Sequence, residues 1–327
     1  MKVELGFSGS FPRDEKVAEF HSLRKSKEIN EREFMDKILS KELSLLFGLE
    51  KLGFTYSTDG MLWADDIINP IVSMSNVEIN GLVRFFDNNF FVRSPVVREK
   101  LSLKEWDLIK WFSEISNRTA GKSMLRIKAP LPGPVTLASF SQNKFYSSIS
   151  ELTIDWGENF LVPLIDALEK LGFSFFELHE PSFMDRKLGN EVKEVGSKEI
   201  SGILERFNKS EFFILTYFNG TTKDLSHLMR VSKDNSVIGL DLHLPFAWKM
   251  IAELSKKGLE TIYLGALDSR NPIPERNRLI KGWLDKAERL GFERIIIGNN
   301  APMDFIPPKW ALSKLRKLSK SVRIWGE

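Results

Sequence analysis

The chain has 327 residues, with 47 lysines and arginines against 44 aspartates and glutamates, a formal net charge of +3. So small an excess, spread along the chain, gives no nucleic-acid footprint, and 42% hydrophobic residues exclude a disordered protein. There is no cysteine, which excludes disulfides, thiolate zinc sites, cysteine-ligated iron–sulfur clusters and cysteine nucleophiles.

The opening Met1-Lys2-Val3-Glu4-Leu5-Gly6-Phe7 lacks the apolar core of a secretory signal. No apolar run approaches a membrane span, so a cytoplasmic protein without membrane contact is expected. The four histidines, His21, His179, His227 and His243, include no pair at a metal-ligand spacing.

In chain order, a first strand is expected at 2–7, then extra helices over 11–71, then a second strand around 85–92. Short apolar runs follow at 124–129, 174–178, 212–217, 236–240, 261–264 and 294–297, each bounded by Gly, Pro, Asn or charge as buried strands are. Helices are expected between them. The stretch 155–171 carries Phe160, Leu161, Leu164, Ile165 and Leu168 at spacings of three and four, with Gly172 as a stop. Helices at 246–257 and 275–290 end at Gly258 and Gly291. A last helix over 308–319 opens on Pro308 and closes in lysines and arginines that suit its dipole. Eight strand–helix units describe a (β/α)8 TIM barrel: an α/β protein, a single domain over 1–327, with a helical elaboration at 11–71. The alternative is an open doubly wound sheet, but no Gly-x-Gly-x-x-Gly is present.

Barrel chemistry sits just past the C-terminal ends of strands. Read in that order, the chain shows Phe11-Pro12-Arg13 with Lys16 and Ala18, then Lys110-Trp111-Phe112, then Gly133-Pro134-Val135-Thr136. It continues with Glu177-Leu178-His179-Glu180-Pro181, Thr216-Tyr217-Phe218, Gly239-Leu240-Asp241-Leu242 and the run Leu264 to Asn271, and closes with a polar tail ending at Pro307. Each motif alone is weak. Together, in order, they resemble the N-terminal, zinc-less domain of the cobalamin-independent methionine synthase family. That domain is a barrel that helps to hold the methyl-folate donor, while a second barrel carries zinc and activates homocysteine.

The resemblance implies that Arg13, Lys16 and Lys110 bind the glutamate tail of a methyl-pterin, for which Arg forks and Lys ammoniums suit a string of carboxylates. It implies a methyl-tetrahydropterin as cosubstrate and methyl transfer to homocysteine for methionine biosynthesis. It further implies a zinc-bearing partner barrel, this chain binding no metal and not being active alone. At the places of the zinc ligands the chain has Thr216, Phe218, Asp241 and Ala301, and one carboxylate is too few for zinc. His179 replaces an aspartate of the family pattern. A non-catalytic pterin-binding scaffold and a metal-free uroporphyrinogen-decarboxylase-like enzyme are the alternatives.

Glu180, Asp241, Asp268 and Arg270 form the candidate barrel-mouth site, without an assigned catalytic residue. For each a structural role stands beside the functional one. Glu180 is expected as a buried carboxylate tied to backbone amides, and Arg270 in an ion pair with Asp268 or Glu180. Trp111 and Phe112 read as core at helical spacing, and His243 as a satisfied polar residue rather than an acid–base group. The aromatic run from Phe85 to Phe91 reads either as a buried strand pair or in part as a partner surface.

Overall fold

A computed structural model of the chain describes residues 1–88, 90–104, 107–218 and 220–327. Asn89, inside the aromatic run, and Asn219, in one of the post-strand segments, lie outside the described residues. In chain order the elements are β1 (Lys2–Gly6), α1 (Glu15–Lys25), α2 (Glu31–Lys51), β2 (Phe54–Ser57), α3 (Asn69–Val72), β3 (Glu78–Arg84), β4 (Phe91–Val97) and α4 (Asp107–Thr119). Then come β5 (Arg126–Ile127), β6 (Ala129–Pro132), α5 (Pro134–Phe140), β7 (Gln142–Asn143), α6 (Ile149–Asp155), α7 (Val162–Lys170), β8 (Phe175–His179) and α8 (Asn190–Arg206). The chain closes with β9 (Glu211–Thr216), α9 (Leu225–Arg230), β10 (Ser236–Asp241), α10 (Ala247–Lys256), β11 (Thr261–Leu267), α11 (Asn277–Arg289), β12 (Arg294–Asn299) and α12 (Pro308–Gly326). The class is the α/β TIM barrel expected from the strand–helix alternation.

The chain falls into two compact units. The first comprises Met1–Trp63, Ser113–Lys128 and Glu260–Glu327. Its strands are parallel in the order β5-β2-β1-β12-β11. β12 shows why these runs are strands: Ile295, Ile296 and Ile297 are all buried, as happens when a parallel strand is covered on both faces. In the helical elaboration, α2 starts with a reciprocal cap in which Asn30 accepts from the Glu33 amide and Glu33 accepts from the Asn30 amide. Phe34, Ile38, Leu39, Leu46 and Leu49 form its buried stripe, each contributing about 1.5–3 kcal/mol of apolar transfer.

The second unit comprises Ala64–Phe112 and Ala129–Leu259. Its parallel strands run β10-β9-β8-β6, and a separate three-stranded sheet runs β3-β4-β7. The helix expected at 155–171 begins earlier, as α6, and passes through a π-helical turn at Trp156–Leu161 before α7. Pro163 has no amide to donate to the preceding turn, and the wider turn absorbs the missing bond.

The strand expected around 85–92 is corrected. Phe91 and Val92 open β4, while Phe85 and Phe90 flank the turn of its antiparallel hairpin with β3, in the three-stranded sheet and not beside the strands of the barrel. Phe85 is buried at the base of the turn, edge-on to Phe86 and Phe90, so ring packing explains the aromatic density. The remaining parallel strand is β2, four residues long, within the stretch read as helical. The last helix runs on to Gly326, past the expected 319.

Candidate functional site

In the second unit two of the sequence motifs prove to be halves of one device. Gly133 is the N-cap of α5 and has no side chain to cap with. Glu180, just past β8, supplies the missing acceptor. Its Oε1 accepts from the Val135 amide at 2.9 Å, and its Oε2 accepts from the Thr136 amide at 3.0 Å and the Thr136 hydroxyl at 2.8 Å. A Cβ on Gly133 would stand 2.2 Å from that carboxylate, so only glycine lets the two segments meet. Burial pushes the Glu180 carboxyl up to about 7, against the pull of its three donors. The structural role expected for Glu180 is present.

On the same strand Glu177 and His179 alternate with Phe176 and Leu178, so both polar side chains share one face. His179 Nε2 is 2.6 Å from Glu177 Oε1, and its Nδ1 is 3.1 Å from the Tyr217 hydroxyl; all three residues are fully buried. Burial, with the charges of Glu177 and Glu180, raises the Tyr217 phenol well above its ordinary value, so it keeps its proton. Tyr217→Phe leaves Nδ1 buried without its hydroxyl partner and should lower stability by about 1–3 kcal/mol, read as a shift in thermal midpoint.

Asp241, at the end of β10, is fully buried. Its Oδ1 accepts from the His243 amide at 3.0 Å and its Oδ2 from the Phe218 amide at 3.5 Å. The Thr216 hydroxyl donates to the Gly239 carbonyl. Among the described residues no three His, Cys, Asp or Glu side chains group to hold a metal ion. With no thiolate and Asp241 turned to backbone amides, the donor set at these positions does not fit zinc.

In the first unit the loop after β11 is tied down from below. Asp268 pairs with Arg270 at 3.5 Å, one of the two pairings expected of Arg270. The Asp268 amide donates to Glu275 Oε1, which also receives Lys314 Nζ of α12 at 2.8 Å. Lys314 is fully buried and donates in addition to the Asn271 and Ile273 carbonyls at 2.8 and 2.9 Å. Beside this loop, Asn299 bonds both the amide and the carbonyl of Ser8, whose hydroxyl receives Lys128 Nζ at 3.1 Å. The sequence did not single out Lys314, Lys128 or Tyr217's hydroxyl, because a lone Lys or Tyr reads the same whether buried or solvated.

Arg13 is half-buried immediately before Asp14, the N-cap of α1, and Lys16 is exposed in the first turn of that helix, both in the first unit. Lys110 is exposed on α4, in the second unit. Its neighbours Trp111 and Phe112 are buried, Phe112 edge-on to Phe173, and so belong to the core. The second unit also holds a cavity of about 380 Å³, where Phe86 and Phe140 lie beside Arg84, Lys187, Asp87 and Ser182. Leu82 and Phe91 of the hairpin are exposed, and among the described residues of the Phe85 to Phe91 run only Phe85 is buried core.

Residues 73–287 match the family model described as the N-terminal domain of cobalamin-independent synthase. The chain belongs to the cobalamin-independent methionine synthase family. Methionine synthase of Thermococcus kodakarensis is 23% identical over 330 residues, 97% of this chain and 91% of the relative. That of Sulfurisphaera tokodaii is 24% identical over 328 residues, 98% and 91% of the two chains. Among solved structures, a B12-independent methionine synthase from Shewanella sp. W3-18-1, in complex with selenomethionine, superposes with a TM-score of 0.79. It is 18% identical, with 99% of this chain and 98% of that chain covered. A B12-independent methionine synthase from Listeria monocytogenes gives 0.78 at 15% identity, with both chains fully covered. These likenesses establish the fold. No helix among the described residues is long and apolar enough to cross a membrane.

Proposed function

We propose that this chain binds the methyl-pterin donor of cobalamin-independent methionine synthesis and presents it to a zinc-bearing partner barrel that holds homocysteine. The observation that carries the reading is the match to the N-terminal-domain model over 73–287 in a chain without cysteine. Arg13, Lys16 and Lys110 hold the glutamate carboxylates by charge-assisted hydrogen bonds. Glu180, Asp241, Asp268 and Arg270 shape the loops at the strand ends. They act through the backbone and loop contacts described above, each ordering its own loop for the pterin. The methyl group passes from N5 of the pterin to the homocysteine sulfur, giving methionine and the demethylated pterin. This chain contributes binding and orientation, and no step runs through a metal held by its own residues.

Calorimetric titration with methyl-tetrahydropteroyl-triglutamate tests the binding half of the proposal. Lys110→Ala should weaken binding by about tenfold or more, the equivalent of one charge-assisted hydrogen bond. Arg13→Ala should weaken it similarly, and removing both should leave little affinity. A monoglutamate donor should be less sensitive to all three changes. Unchanged affinity in Lys110→Ala and Arg13→Ala would leave this chain as a scaffold and contradict the proposal.

A further inference from the structure

The first unit holds a second, larger cavity that the functional reading does not use. Its volume is about 520 Å³, within the range of small-molecule pockets. It lies between α2 and α12, floored by Phe11, Leu45, Leu49, Leu62, Pro308 and Leu312. At its rim Lys41 is neutralised by Asp14 at 2.8 Å. The other two cations there, Lys51 and Arg316, are exposed and make no ion pair among the described residues. An apolar floor under an uncompensated positive rim is complementary to a molecule with a hydrocarbon body and an anionic end.

Gly48, in the last turn of α2, lines the cavity and adds to its opening. A glycine is less favourable than alanine in a helix interior, and two structural reasons commonly justify one. Neither applies here. Gly48 is not among the residues with positive φ, and a Cβ built on it meets nothing within 4 Å. What the missing side chain leaves is open space in the cavity wall.

We propose that this cavity is a binding site for a small amphipathic carboxylate, with the chain on the leucines of α2 and α12 and the carboxylate between Lys51 and Arg316. The carboxylate contacts proposed are Lys51 and Arg316 and not Arg13 or Lys16, although Phe11, Pro12, Asp14 and Val17 of the wall flank those two residues in the chain, and the inference does not depend on the pterin reading.

Octanoate and octanol, which share a hydrocarbon chain and differ in charge, are the probes, titrated calorimetrically into the full-length protein. Octanoate should bind once per chain and at least tenfold more tightly than octanol. Gly48→Phe should fill the part of the cavity beside α2 and weaken binding of both at least tenfold without lowering the melting temperature. If that variant melts early, Gly48→Leu supplies the same readout with a smaller side chain. The double variant Lys51→Glu/Arg316→Glu should bring octanoate down to the level of octanol and leave octanol unchanged. Equal binding of the two probes by the wild type, or octanoate binding undiminished by the change at Gly48, overturns the proposal. So does competitive displacement of octanoate by the methyl-pterin, which would assign the cavity to the donor site.

Discussion

Glu180→Ala should cost about 3–5 kcal/mol of folding stability, measured by urea unfolding. The substitution leaves two amides and one hydroxyl without an acceptor at the start of α5, and a buried donor left unpaired costs about 1–3 kcal/mol. Rotation of the Thr136 hydroxyl and entry of water recover part of that sum. Gly133→Ala should approach the same loss by another route, because its Cβ would occupy the space of the carboxylate. Glu180 also makes stability depend on pH. Its carboxyl sits at about 7 in the folded chain against an ordinary 4.5, so between those values the folded state keeps a proton that the unfolded chain has released. The contribution is full below pH 4.5 and is lost as pH rises through 7. Wild type should therefore lose about 2–3 kcal/mol more than Glu180→Gln between pH 5 and pH 8. Parallel pH profiles for the two proteins would show that Glu180 ionises as it does in the unfolded chain.

Lys314→Met should be as damaging, at about 3–5 kcal/mol, because it strands a buried carboxylate and two carbonyls. Glu275 is itself buried and its Oε2 has no hydrogen-bond partner among the described residues, so the Asp268 amide on Oε1 is what would remain to its carboxylate. The double variant Lys314→Met/Glu275→Gln should be more stable than Lys314→Met alone, since the second change removes the stranded charge. The four denaturant midpoints of that cycle measure the coupling. A loss below about 1 kcal/mol in Lys314→Met would mean that the pair is not buried as described. The consequence for the site is direct: the loop that Lys314 holds carries Asp268 and Arg270.

The strands whose side chains are apolar on both faces were legible in the sequence, because burial on both sides leaves a continuous run such as Ile295-Ile296-Ile297. Gly172, Gly258 and Gly291 marked the turns after α7, α10 and α11, each at positive φ. β2 escaped because Phe54-Thr-Tyr-Ser is short and half polar, and the helical period of α2 runs up to it. The Phe85 to Phe91 run misled because a knot of packed rings in a hairpin turn has the same composition as a buried strand. At the candidate site, Gly-Pro-Val-Thr and His-Glu-Pro were each visible, but not that they interlock through Glu180 and Thr136. That contact joins residues 44 apart in the chain and leaves no periodic trace. Lys314 and Lys128 were invisible for a related reason. A buried lysine is spelled like a solvated one, and only its partners distinguish them.

The most direct test of the account is methionine formation from methyl-tetrahydropteroyl-triglutamate and homocysteine, followed with the purified chain alone and with a zinc-bearing core barrel added. The account predicts no methionine from the chain alone, and a rate above that of the core barrel alone when the two are combined. Methionine produced by the isolated chain, with zinc bound in stoichiometric amount, would contradict it.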